Sequence, residues 1–89
     1  MRDFTELGKY IRNCRVRAGL TQAEISSKLG YTSSQFVSNW ERRVSMPPMG
    51  TIAVLSKMIK LDPKKVIDIY VDGTRSLLER QFKAKARGR

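Results

Sequence analysis

Breakers divide this chain into stretches that suit short helices and nothing else. Gly19, Gly30, the pair Pro47-Pro48, Asp62-Pro63 and Asp72-Gly73 punctuate it from end to end. Between them, apolar residues recur at three- and four-residue steps, the period of an α-helix. Phe4, Leu7, Ile11 and Cys14 form one such stripe, Ile25 and Leu29 a second, and Val37 and Trp40 a third. Ile52, Leu55 and Ile59 follow, then Val66, Ile67, Ile69 and Tyr70. No stretch alternates with the two-residue period of a strand, and there is no internal repeat. The expected fold is all-α, and 89 residues leave room for a single core.

The breakers also predict where the helices begin and end. A first helix is expected from Asp3 or Thr5, either of which suits an N-cap, to Ala18, with Gly19 as the stop. Thr21 and Glu24 have the spacing of a capping box and predict the start of a second helix. Gly30 ends that helix in the left-handed conformation cheap only for glycine. A third is expected to start after Thr32 or Ser33, either a possible cap, and to end near Arg42. Pro47 and Pro48 hold a connecting loop, because each disfavours helical geometry at the residue before it. A fourth helix then spans about Met49 to Ile59. At Asp62-Pro63 the aspartate caps and the proline takes the first position of a fifth. After Asp72-Gly73 the chain changes character, and a separate short helix carrying Leu77, Leu78 and Phe82 is expected before a basic tail. The division predicted is a main domain over 1–71 and a C-terminal helix with its tail over 72–89.

Composition narrows the function. Eighteen Lys and Arg against eight Asp and Glu leave a formal charge of +10, which calls for an anionic partner. Nucleic acid comes first, an acidic membrane surface second and an acidic protein third. Cys14 is the only cysteine and there is no histidine. An intramolecular disulfide, a zinc site of His/Cys spacing and histidine-based catalysis are thereby excluded. Cys14 reads as a small buried hydrophobe. The N-terminus has no apolar signal-peptide core, and no segment is long enough to span a membrane. A cytoplasmic protein is expected, with no membrane association, no metal, no cofactor and no enzymatic activity. Asp62, Asp68 and Asp72 are dispersed, and neither a nucleophile–base pair nor a phosphate-binding glycine loop is present.

The stretch Thr21–Arg43, TQAEISSKLGYTSSQFVSNWERR, says more about the partner. It reads as two short helices joined at Leu29-Gly30-Tyr31-Thr32. The second docks through Val37 and Trp40 and leaves Ser33, Ser34, Gln35, Ser38 and Asn39 to present amides and hydroxyls outward. Two helices about a glycine-containing turn form a helix-turn-helix unit, whose second helix lies in the major groove of DNA.

Three segments in order, LTQAEISSKLGY, VSNWER and PPMGTIAVLSKMIKL, make the chain similar to the Cro/cI-like (XRE-type) helix-turn-helix family from about Leu7 to Tyr70. The resemblance implies a compact five-helix bundle that binds double-stranded DNA. It implies that Gln22 contacts a phosphate, and that Ser34, Gln35, Ser38 and Asn39 face base edges. Arg42 and Arg43 match the positions where the backbone is gripped, and Glu41 a structural acid that pairs with a nearby arginine. Two departures stand out. The stretch from Gly30 to Val37 is one residue longer than the family pattern, and Arg43 replaces its usual glycine.

Gln and Asn can each form paired hydrogen bonds to adenine. Gln35 and Asn39, four residues apart, share one helix face, while no arginine precedes residue 42 in that helix. Readout of A·T pairs is therefore expected, with Ser33, Ser34 and Ser38 adding weaker contacts or, for the first two, capping the helix. Phosphate-contact candidates are Gln22, Arg42 and Arg43, then Arg15, Arg17 and Lys28. Phe36 is open to a thymine methyl or a second subunit, and the basic tail to solvent or to phosphates. One such domain covers little duplex, so a homodimer on a palindromic operator is expected, joined through Tyr70, Val71, Leu77, Leu78 and Phe82. A repressor is the leading expectation. The alternatives are an antitoxin or adaptor gripping a protein partner, and a non-specific nucleic-acid binder.

Overall fold

The computed structural model describes residues 4–87. Among them are five helices and no strand: α1 (Phe4–Arg17), α2 (Gln22–Lys28), α3 (Gln35–Glu41), α4 (Met49–Ile59) and α5 (Pro63–Arg87). Phe4 and Thr5 are already within α1, so Thr5 is not its N-cap, while the alternative cap Asp3 and the expected contact of the Phe4 side chain fall outside what the structure describes.

The core is built from the stripes that the period predicts. Leu7, Ile11 and Cys14 of α1 meet Ile25 of α2, Val37 and Trp40 of α3, and Ile52, Leu55 and Ile59 of α4. Leu61, Val66 and Ile69 close it from the start of α5. α1 is central and packs on α3, α4 and α5, while α2 packs on α3. Gly8 makes the α1–α3 approach possible. A Cβ there would stand 2.7 Å from the Trp40 carbonyl oxygen and 3.0 Å from that of Glu41.

Helix starts follow the expected chemistry. The Glu24 amide donates to Thr21 Oγ1 at 3.0 Å and the Thr21 amide to Glu24 Oε1 at 2.9 Å, a complete capping box. Hydrogen bonding from the Thr21 amide, and secondarily from its hydroxyl, holds the Glu24 carboxyl below its ordinary pKa. The Lys64 amide donates to Asp62 Oδ1 at 3.0 Å, and Pro63 opens α5.

Helix ends share one device. The amide two residues past the cap reaches back into the last turn, from Leu20 to Arg15 O, Tyr31 to Ser26 O and Val44 to Asn39 O. Each needs a left-handed residue just before it. Gly19 (φ 75°) and Gly30 (φ 86°) supply it cheaply, but Arg43 (φ 67°) does so against a steric cost of about 1 kcal/mol. Lys60 (φ 58°) plays the same part after α4, where the Leu61 amide donates to Ser56 O.

Two boundaries differ from expectation. α3 begins at Gln35, so Ser33 and Ser34 lie in the turn rather than on the helix. The longer turn carries Tyr31, whose ring packs 4.7 Å from Phe36 and 6.1 Å from Trp40. The second difference is at Asp72-Gly73, where no break occurs. α5 runs through both residues for 25 residues in all, and the separate C-terminal helix is its distal half. A glycine inside a helix weakens it by about 1 kcal/mol relative to alanine, too little to end a helix continued by Leu77, Leu78 and Glu79.

Candidate nucleic-acid interface

The outward side of α3 is a polar row. Val37 and Trp40 point into the core, which turns Gln35, Asn39 and Arg42 to the other side; Gln35 and Arg42 are exposed, and Ser38 and Asn39 are half-buried. Gln35, Asn39 and Arg42 are joined. Gln35 Nε2 donates to Asn39 Oδ1 at 2.8 Å, and Arg42 Nη2 donates to the same oxygen at 3.0 Å. Asn39 therefore spends its acceptor on its neighbours and keeps its amide hydrogens to offer. Gln35 still has Oε1 and one N–H, the pair that adenine recognition needs.

The serines before α3 have more modest positions. Ser34 occupies the N-cap without a side-chain bond to the helix, while Ser33 Oγ accepts from the Gln35 amide at 3.3 Å. Ser33 thus steadies the first residue of the polar row. Phe36 is half-exposed, with one face on Tyr31.

Beneath the row, a buried ion pair sets the angle of α3. Arg15 Nε donates to Glu41 Oε2 at 2.6 Å and Nη2 to Oε1 at 3.0 Å, a two-pronged contact in which the side chains are 13% and 4% exposed. Arg15 Nη1 also donates to the Leu20 carbonyl at 2.9 Å. One guanidinium thereby ties the end of α1, the entry to α2 and the end of α3. The hydrogen bond to Glu41 holds the Arg15 pKa above its ordinary value despite burial. The expectation of a phosphate contact at Arg15 needs correction, because its donors are turned inward. Nothing in the sequence alone distinguishes Arg15 from Arg12 or Arg17.

The same carboxylate holds Gln22, whose Nε2 donates to Glu41 Oε1 at 3.1 Å. Gln22 is half-buried at the first position of α2, with its carbonyl and second N–H uncommitted by that bond. Arg17, Lys28, Arg42 and Arg43 are exposed. Arg43 lies beside α1, with Cγ 2.9 Å from where a Gly8 Cβ would be.

The residues expected to join two subunits divide. Tyr70 is half-buried, and its hydroxyl donates to the Pro47 carbonyl at 2.9 Å, which fastens α5 to the loop before α4. Burial pushes its phenol pKa up. Val71, Leu77, Leu78 and Phe82 are exposed along α5. No helix among the described residues is long and apolar enough to cross a membrane, and no acidic or cysteine cluster there could hold a metal.

The family model described as helix-turn-helix matches residues 11–66, well over half of the chain. That range begins within α1, contains α2 to α4 whole and ends in the first turn of α5. No match was found among the curated proteins or among the solved structures. On the family match, the chain belongs to the helix-turn-helix DNA-binding family of Cro/cI-like (XRE) type.

Proposed function

We propose that this DNA-binding regulator is a repressor that occupies a palindromic operator as a homodimer, with α3 in the major groove. The observation that carries the reading is the outward-facing polar row Gln35–Asn39–Arg42, with Gln35 and Arg42 exposed and all three already hydrogen-bonded. Gln35 reads an adenine through Oε1 and its remaining N–H, and Asn39 holds that amide in place while offering its own N–H groups to an acceptor. Ser33, Ser34 and Ser38 contribute at the edge of the contact. Gln22, Arg17, Lys28, Arg42 and Arg43 grip phosphates, which supplies most of the affinity and its dependence on salt.

Selection of bound duplex from a random pool at physiological salt tests this. Two A·T-containing half-sites, related by a twofold and one or more helical turns apart, are expected. An invariant G·C core opposite α3 would overturn the adenine reading. Gln35→Ala and Asn39→Ala should relax preference at the same base pair, each by roughly 1–3 kcal/mol, with the double variant no worse than the stronger single one. A reporter driven by the selected operator should fall when the protein is supplied, and a rise would refute repression.

A further inference from the structure

The distal half of α5 projects from the bundle and is largely exposed over its described residues. From Thr74 to Ala84 every residue is exposed except Ser76, which is half-buried. A helix of 25 residues is about 37 Å long, and the molecule measures 49 × 26 × 19 Å. Along this arm Val71, Leu78 and Phe82 fall within one narrow stripe, 50%, 51% and 72% exposed. A shallow groove of about 560 Å³ follows the stripe. Met49, Tyr70 and Val71 line its proximal end, and Leu78 and Phe82 its distal end.

We infer that the occupant of this groove is the same arm of a second copy, running antiparallel. The inference rests on the homodimer proposed above and adds its geometry. With the twofold axis level with Ser76, Thr74 lies across from Leu78 of the second copy. Each Phe82 then arrives at the other copy's proximal end, beside Met49, which is 77% exposed. The groove thus receives from its symmetry mate the side chain that completes its apolar lining, as a self-complementary interface requires.

Charge chooses the direction. Residues 68–79 hold Asp68, Asp72 and Glu79 against Arg75, whereas 80–84 hold Arg80 and Lys83 with no acid. In this antiparallel register Lys83 of one arm comes level with the stretch between Asp68 and Asp72 of the other, and the helix dipoles oppose. Parallel arms in register would set Lys83 beside Lys83 and Asp72 beside Asp72.

Oxidative cross-linking of single-cysteine variants of the full chain tests the arrangement, with the native thiol removed by Cys14→Ala. Arg75→Cys lies beside the axis and should form a disulfide-linked dimer. Phe82→Cys should not, because its mate is roughly 18 Å away along the axis. Cross-linking at both positions means parallel arms and overturns the inference while leaving the homodimer standing. Leu78→Glu and Phe82→Glu, at exposed sites that spare the core, should each raise the dimer dissociation constant at least ~100-fold by sedimentation, with unchanged helical circular dichroism. Dimers that survive both substitutions place the interface elsewhere and refute the assignment to α5. A wild-type chain that sediments as a monomer at micromolar concentration, free and on DNA, refutes the homodimer itself.

Discussion

Replacing Arg15 separates a fold-holding role from a DNA-gripping one. Arg15→Ala removes both prongs to Glu41 and the bond to the Leu20 carbonyl. The Glu41 carboxylate, 4% exposed, is left with Gln22 as its remaining partner among these groups. Breaking a buried pair from one side costs roughly 3–5 kcal/mol, because the surviving charge stays desolvated. Arg15 is 13% exposed rather than fully buried, so the lower end of that range, about 3 kcal/mol, is expected. A chain of this length holds only ~4–13 kcal/mol in total. Trp40, the sole tryptophan and 2% exposed, reports unfolding by its fluorescence in urea. With a slope of ~1 kcal/mol per molar, the midpoint should fall by ~3 M. Arg15→Lys should lose most of the same stability, since an ammonium keeps the charge but not the fork. Pairing Arg15→Met with Glu41→Leu should recover much of it, because two well-packed apolar side chains often replace a buried ion pair without loss. The opposite pattern would refute the reasoning. In that case Arg15→Ala would keep its midpoint within ~0.5 M while the log–log salt slope of DNA binding dropped by about 0.9, the mark of a phosphate contact.

Gly8→Ala should destabilise by about 1–2 kcal/mol in the same urea assay, although alanine ordinarily gains about 1 kcal/mol in a helix, because the new Cβ meets backbone oxygens of Trp40 and Glu41. A gain would show that α1 can slide away from α3 without cost. Arg43→Gly should raise stability by roughly 0.5–1 kcal/mol by relieving its positive φ, while weakening binding to specific and random duplex alike with a shallower salt slope. An unchanged slope in filter or anisotropy titrations would remove Arg43 from the phosphate set. The lowered Glu24 pKa makes its cap stabilising above the ordinary carboxylate range, and that contribution is lost as pH falls through the folded value. Glu24→Gln should therefore flatten the stability profile in the acid range, and an unaltered profile from pH-dependent melts would refute the linkage.

What the sequence disclosed, and what it hid, follows from the range of each interaction. Stripes such as Leu7–Ile11–Cys14 and caps such as Thr21–Glu24 are local, with every partner within four residues, so period and spacing reveal them. Gly19 and Gly30 announce helix ends because glycine alone adopts their backbone cheaply. Arg43 and Lys60 adopt it too, held by the bonds that Val44 and Leu61 send back into the preceding helices. Composition does not signal such a cap, and at Arg43 only the family's missing glycine hinted at it. The asparagine offered as a second base reader turned out to be bonded to both Gln35 and Arg42, a consequence of rotamers that spacing cannot reveal.

The least legible residues were those whose partners lie far along the chain. Arg15 and Glu41 are 26 positions apart, and the Tyr10 hydroxyl accepts from the Asp62 amide at 2.7 Å, 52 positions away. Gly8 carries no chemistry of its own and matters only because α3 ends against it. These contacts have a common effect. Gly8, Arg15 and Gln22 all bear on the last residues of α3, and all reach it through Trp40, Glu41 or Arg43. The polar row that faces outward is thus held from behind at its C-terminal end, whereas the Ser33 bond and the Tyr31–Phe36 contact steady its N-terminal end. Substitutions behind the C-terminal end should change stability first and readout second. Substitutions at Ser33 or Tyr31 should let Gln35 shift while the bundle stays folded, and so change which base is read before they change whether the protein survives.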